Sequence, residues 1–237
     1  MKAVIFYCDG LIIDTESVYT NVFQTVLNRY QKTFDWELKS KMMGMRTLEA
    51  TNLLIKTLNI PMSAEEWINE TESMLVTPSF DFFKVEQFKS CKLMPGAAKI
   101  IRHLKRNNIP IAVATSSRSI SFDAKITLHQ DLFSLFDVII KGDDHRVKNG
   151  KPHPDIFLTA FNELGKLFPN MTNGVNEALV FEDAVNGVDA ALAAGMKVVW
   201  IPDERFDVTK HNENEAVTIL KSLEEFNPEY FSLPPFQ

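Results

Sequence analysis

Residues 3–10, Ala3-Val4-Ile5-Phe6-Tyr7-Cys8-Asp9-Gly10, decide how the rest of the chain is read. Ala3 to Phe6 is an unbroken apolar run, which suits a strand covered by helices on both sheet faces. The run then gives way to a carboxylate and a glycine, as at a loop leaving the carboxyl end of a strand. Four more runs share this character: Pro110 to Ala114, Asp137 to Ile140, Ala178 to Phe181 and Lys197 to Ile201. Helical patterns separate most of them. Ile100, Ile101 and Leu104 follow Pro95 at a first-turn position and are closed by Asn107 and Asn108. Ile156, Phe157, Ala160, Phe161 and Leu164 form an apolar face that Gly165 is expected to stop, and Ala190, Ala191 and Ala194 lead into Gly195 likewise. Strand, helix, strand in repetition predicts a doubly wound α/β core around a parallel sheet.

The interval between the first two strands differs. From Thr15 to Ser90 it carries helical patterns and no strand signal. Val18, Tyr19, Val22, Phe23, Val26, Leu27 and Tyr30 follow helical spacing, Ser63 and Glu66 stand at a capping-box distance before Trp67, and Phe80, Phe83 and Phe88 continue the apolar theme. A crossover needs only about a dozen residues. The excess predicts an inserted helical cap over residues 15–90, with residues 1–14 and 91–237 forming the core.

Composition narrows the function. In 237 residues, 45% are hydrophobic and 24% charged, the balance of a folded globular protein. A formal charge of -6 supplies no basic footprint for nucleic acid or an anionic membrane surface. The early apolar run falls far short of the ~18 residues of a membrane span and lacks the cleavage pattern of a signal peptide. Cys8 and Cys91, the only two cysteines, are too few for a disulfide scaffold or thiolate zinc site. They read as reduced, buried thiols of a cytoplasmic protein. The histidines show no metal-ligand spacing, Met42, Met43 and Met45 suit either an adaptable pocket or core packing, and the Phe-rich tail is expected to dock on the core.

In open parallel sheets, ligands bind beyond the carboxyl ends of the strands. The first strand is followed there by Tyr7, Asp9 and Gly10, the second by Thr115, Ser116, Ser117 and Arg118. The third leads to Lys151-Pro152-His153-Pro154-Asp155, and the fourth to Glu182-Asp183. Neighbouring carboxylates repel unless a hard cation such as Mg²⁺ neutralises them. Hydroxyls and backbone N–H groups at a helix start hold phosphate oxygens, and a lysine offsets their charge. Such an assembly suits phosphoryl transfer, where positioning and charge neutralisation do most of the work.

These motifs, with Leu93-Met94-Pro95-Gly96 and the cap segment Met43-Gly44-Met45-Arg46-Thr47-Leu48-Glu49-Ala50, resemble the haloacid dehalogenase superfamily of phosphatases over nearly the whole chain. Within it they look most like the pseudouridine-5'-phosphatase branch. The resemblance implies a Rossmann-like core with a helical cap, a Mg²⁺ cofactor and a small phosphorylated metabolite, such as a nucleoside 5'-monophosphate, as partner. It implies Asp9 as general acid/base, Thr115, Ser116 and Lys151 as phosphate-binding residues, and Arg46 as a cap residue approaching substrate. Asp9, Glu182 and Asp183 would serve the metal.

Position 7 departs from the family, which places there an aspartate that attacks phosphorus and binds Mg²⁺. Tyr7 carries a phenol with an ordinary pKa near ~10, so it is neutral at pH 7 and a poor metal ligand. Its oxygen also projects further from the backbone, and a misplacement of about 1 Å alone costs ~100-fold in rate. Tyr7 can equally be a core aromatic filling an emptied pocket under the cap. The resulting expectation is a phosphomonoesterase scaffold whose activity is lost or severely reduced. The alternatives are a phosphate-ligand-binding or regulatory pseudoenzyme and a relative of sugar-phosphate mutases.

Overall fold

In a computed structural model that describes residues 3–76, 88, 91–171, 174–209 and 214–236, the five apolar runs form strands. They are β1 (Ala3–Phe6), β2 (Ile111–Ala114), β3 (Val138–Ile140), β4 (Ala178–Glu182) and β5 (Lys197–Trp200). A further strand, β6 (Val217–Ile219), was not expected. All pair in parallel in the order β3-β2-β1-β4-β5-β6, the doubly wound arrangement. β1 is central: Phe6 lies in register with Val113 on one side and Phe181 on the other.

The two faces of the sheet have separate cores, because successive side chains of a strand point to opposite sides. Val4, Phe6, Leu179 and Phe181 face helices α5 (Ala97–Arg106), α6 (Ser119–Lys125) and α7 (Gln130–Phe133). Phe6 and Phe181 stack there with ring centres 4.7 Å apart. Ala3, Ile5, Ala178 and Val180 face α8 (Asp155–Leu167) and α9 (Val185–Ala193). The tail docks as expected, with Phe226 and Leu233 buried in the first core and the Pro234 carbonyl 2.8 Å from His103 Nε2.

Between β1 and β2 lie α1 (Glu16–Asn28), α2 (Trp36–Met42), α3 (Thr47–Leu58) and α4 (Ala64–Val76). They share their own hydrophobic cluster, including Val26, Leu27, Leu38, Leu54 and the fully buried Trp67. Asp35 caps α2 through the Leu38 N–H, 2.9 Å away. The capping box before α4 is formed: the Glu66 N–H donates to Ser63 Oγ (3.2 Å) and the Ser63 N–H to Glu66 Oε2 (2.7 Å). Phe80, Phe83 and His211 lie outside the described residues.

Two boundary expectations are corrected. Gly165 does not stop α8, which runs on to Leu167. The apolar face through Leu164 is anchored in the core, and this packing outweighs the ~1 kcal/mol that glycine costs a helix. Pro95 precedes α5 rather than opening it, since Gly96 is the N-cap. No described helix is long and apolar enough to cross a membrane.

Candidate active site

Because β1, β2 and β4 are neighbours, the loops after them emerge side by side. The loop after β1 folds back tightly: the N–H groups of Ile12 and Ile13 donate to the Cys8 carbonyl, and the Gly10 N–H to that of Ile13. Gly10 has φ +73°, in the left-handed region, and a methyl there would strike the Asp183 carboxylate.

Asp9 is the most heavily engaged side chain of this loop. It accepts hydrogen bonds from Thr15 Oγ1 (2.9 Å), Ser117 Oγ (2.8 Å) and Thr115 Oγ1 (3.4 Å), and pairs with the ammonium of Lys125. The Lys125 side chain is wholly buried at the end of α6 and also donates to Ser117 Oγ (2.6 Å) and Tyr19 Oη (2.8 Å). Burial on its own would lift the Asp9 carboxyl, yet Lys125 and the hydroxyl donors hold it below the ordinary carboxylate range. Burial likewise opposes the charge on Lys125, and Asp9 outweighs it, so the ammonium is held above its usual value. Sequence reading missed Lys125, Thr15 and Tyr19. The available signal was a lysine three residues beyond Phe122 on the buried face of a short helix.

A second buried pair stands behind β1. Lys151 pairs with Glu182 Oε1, and both side chains are inaccessible. Glu182 Oε2 accepts the N–H groups of Asp183 (3.1 Å) and Ala184 (3.3 Å). The Lys151 ammonium lies 3.8 Å from the centre of the Tyr7 ring and 4.8 Å from that of Phe157. Tyr7 itself is buried, with its N–H on the Phe181 carbonyl at 3.0 Å. Burial, then the charges of Asp9, Asp183 and Glu182, push its phenol well above the ordinary tyrosine value, so it is protonated. In α9, Gly187 packs directly on the Glu182 carboxylate, where a methyl would collide with it. Gly187→Ala is therefore expected to lower stability by about 1–3 kcal/mol, read as a reduced midpoint in urea unfolding.

Asp183 is 5% exposed and its Oδ1 has no hydrogen-bond partner. Burial and the neighbouring Glu182 push its carboxyl well above the usual range. Such an orphaned oxygen fits a hard cation, since Mg²⁺ takes one or two carboxylates and completes its shell with water and phosphate. Glu182, expected to serve the metal, has both oxygens committed to Lys151 and the backbone. Of the three residues expected to serve the metal, Asp183 alone keeps a side-chain oxygen without a hydrogen-bond partner, and position 7 adds a phenol rather than a second carboxylate.

A cavity of about 140 Å³ opens between these loops and the helical segment. Tyr7, Asp9, Ser116 and Asp183 line it, whereas Thr115, Lys151 and Glu182 stand behind its wall. Opposite are Tyr19, Phe23, Phe34 and all three of Met42, Met43 and Met45. Met42 also packs in the helical cluster, so both anticipated uses of these methionines are realised. Ser116 Oγ donates to the Gly44 carbonyl at 2.8 Å, and Asn186 Nδ2 to that of Met43 at 2.8 Å. Arg46 does not line the cavity. Its guanidinium donates to the Val147 (2.5 Å) and Lys148 (3.1 Å) carbonyls, tying the segment before α3 to the loop that carries Lys151. His153, in that loop, is exposed.

A family model for haloacid dehalogenase-like hydrolases matches residues 1–195. The chain is 45% identical over 236 residues to "(DL)-glycerol-3-phosphatase 1, mitochondrial" of Arabidopsis thaliana, covering 99% of this chain and 74% of that protein. It is 38% identical over 237 residues to "Probable pseudouridine-5'-phosphatase" of Drosophila melanogaster, covering 98% and 94%. Among solved structures, CbbY from Rhodobacter sphaeroides in complex with phosphate matches with a TM-score of 0.72 at 24% identity, over 95% and 96% of the two chains. That last likeness concerns the fold alone.

Proposed function

Because the chain belongs to the haloacid dehalogenase-like hydrolase family, we propose that it carries the scaffold of a Mg²⁺-dependent phosphomonoesterase whose turnover is lost or severely reduced at Tyr7. Residues 15–90 are its cap and residues 1–14 and 91–237 its core. The family's phosphatase relatives, named for glycerol 3-phosphate and for pseudouridine 5'-phosphate, support a small phosphorylated metabolite as the ancestral ligand. Two buried, unbridged cysteines support a cytoplasmic setting.

One observation carries the proposal. The lysine expected to meet phosphate is covered by the Tyr7 ring at 3.8 Å and lies outside the cavity. A protonated phenol supplies no nucleophile and displaces the anion from its counter-charge. Two residues lining the cavity, Asp9 and Ser116, support the scaffold reading. Asp9 is oriented by three hydroxyls and Lys125 as a proton acceptor, the state needed to activate water. To protonate a leaving oxygen it must first leave Lys125. Ser116 reaches the cavity floor, and Mg²⁺, held by Asp183 and the Asp9 carbonyl, would supply positive charge for the phosphoryl oxygens. The retained cavity also supports a second reading, a ligand-binding pseudoenzyme. Phosphate release by this chain and by Tyr7→Asp, with and without Mg²⁺, tests the first: a silent aspartate variant across small phosphomonoesters overturns it.

A further inference from the structure

The loop after β5 carries none of the motifs read above, yet it grips the helical segment. β5 ends at Trp200, and the chain then runs through Asp203, Arg205 and Phe206. The base of this loop is anchored. Trp200 is fully buried, its indole N–H donates to the Asp183 carbonyl at 2.9 Å, and the Phe206 ring centre lies 6.3 Å from its own. Asp203 aims the Arg205 guanidinium by accepting from Nε at 2.8 Å and from Nη2 at 2.7 Å. So oriented, the guanidinium carbon stands 3.8 Å from the centre of the Trp36 ring, which Phe206 meets edge-on at 5.1 Å. Nη2 also lies 3.5 Å from Glu16 Oε1. Trp36 opens α2 and Glu16 opens α1, so one guanidinium touches the first residues of two helices of the inserted segment.

Both helices face the cavity. Glu16 lines it and pairs with Lys39 at 2.6 Å, and Lys39 and Met42, further along α2 from Trp36, line it too. α2 has seven residues, too few to hold a helix by itself, so its place is set by what it packs against. Leu38 and Met42 tie it to the other helices of the segment, and Trp36 ties it to the core. A planar guanidinium stacked on an indole makes that second tie specific to arginine, since an ammonium lacks the flat face and the fork that Asp203 grips. We propose that Arg205 is a positioning residue, a clasp that holds α2 down on the core and so fixes the cavity wall that carries Lys39 and Met42. The inference rests on reading residues 15–90 as a cap on a separate core, and not on the chemistry at position 7.

Oxidation of the intact chain by dilute hydrogen peroxide, with each methionine followed by mass spectrometry, tests it. Met42 is buried in the wall that the clasp holds, and Met196, buried in the second core, reacts only when the whole molecule unfolds. Where opening and closing outpace oxidation, the Met42 rate follows the open population. Arg205→Ala is expected to speed Met42 oxidation on the order of fivefold, with Met196 unchanged. Arg205→Lys, which keeps the charge without the planar stack, should give most of that increase. In a Trp36→Leu background, where Met42 is already fast, Arg205→Ala should add little. A Met42 rate in Arg205→Ala equal to the parent's overturns the inference. So does equal acceleration with and without Trp36, or equal acceleration of Met196. These rates need neither Mg²⁺ nor turnover, so an inert Tyr7→Asp leaves the clasp standing, and an unmoved Met42 leaves the proposed function standing.

Discussion

Phosphate release in the presence of Mg²⁺ is expected to rise by at least ~10²-fold when Tyr7 is replaced by aspartate. The main chain at position 7 is already pinned, its N–H on the Phe181 carbonyl and its neighbour Phe6 paired on both sides. A carboxylate placed there therefore emerges at a fixed point beside Asp183 and Asp9. Removing the ring also uncovers Lys151, so nucleophile and counter-charge return together. Two controls sharpen the result. Tyr7→Phe should match the parent, and any loss of residual activity in it would identify the phenol as a working nucleophile. Without Mg²⁺, Tyr7→Asp adds a carboxylate to a crowded acidic site, so its melting temperature should fall below the parent's and recover as Mg²⁺ is added. An inert aspartate variant that shows no such recovery would remove both the nucleophile and the metal from the account.

Lys125→Met is expected to cost about 3–5 kcal/mol, because it strands the buried Asp9 carboxylate without its cation. For a chain of this size that is a melting-temperature drop of roughly 6–20 °C. Its pH dependence follows from the direction of each shift. The Asp9 carboxyl is held below its ordinary range, so its contribution is complete above the unfolded value near ~3.9 and fades as pH falls through the folded one. Lys125 is held above its ordinary value, so its contribution is complete below ~10.4 and fades only as pH rises through the still higher folded value. Without Lys125, burial lifts the Asp9 carboxyl, so the deficit of Lys125→Met should be largest at and above neutral pH and shrink as pH falls, where protonation relieves the stranded carboxylate. Adding Asp9→Asn should recover part of the loss at neutral pH. A deficit unchanged in acid would show that lost packing against Tyr19 and Phe88 dominates instead.

Most of the sheet was legible because its strands are buried on both faces and so spell continuous apolar runs. β6 is only partly buried over three residues, too short and too wet to leave that signature. The helices of the inserted segment were visible through their spacing and the Ser63–Glu66 box, both local signals. At the site, Tyr7, Asp9, Ser116 and Asp183 were found because strand ends are marked in sequence. Lys125 was not, since a lysine buried by pairing with a carboxylate 116 residues away follows no local pattern. The same holds for Glu182, whose type suggested a metal ligand and whose partner, Lys151, lies 31 residues distant. Arg46 lies in a motif, but its direction is set by the carbonyls of Val147 and Lys148, which only the fold brings near.

The bond from Ser116 to Gly44 has a mechanical consequence. Beside the Asn186 and Arg46 contacts, one hydroxyl proton joins the helical segment to the cavity floor, and it is the same proton that any oxygen-rich guest settling on that floor would solicit. Occupancy and this fastening are therefore competing claims on a single donor, and a guest that does not ask for it leaves the bond to Gly44 intact.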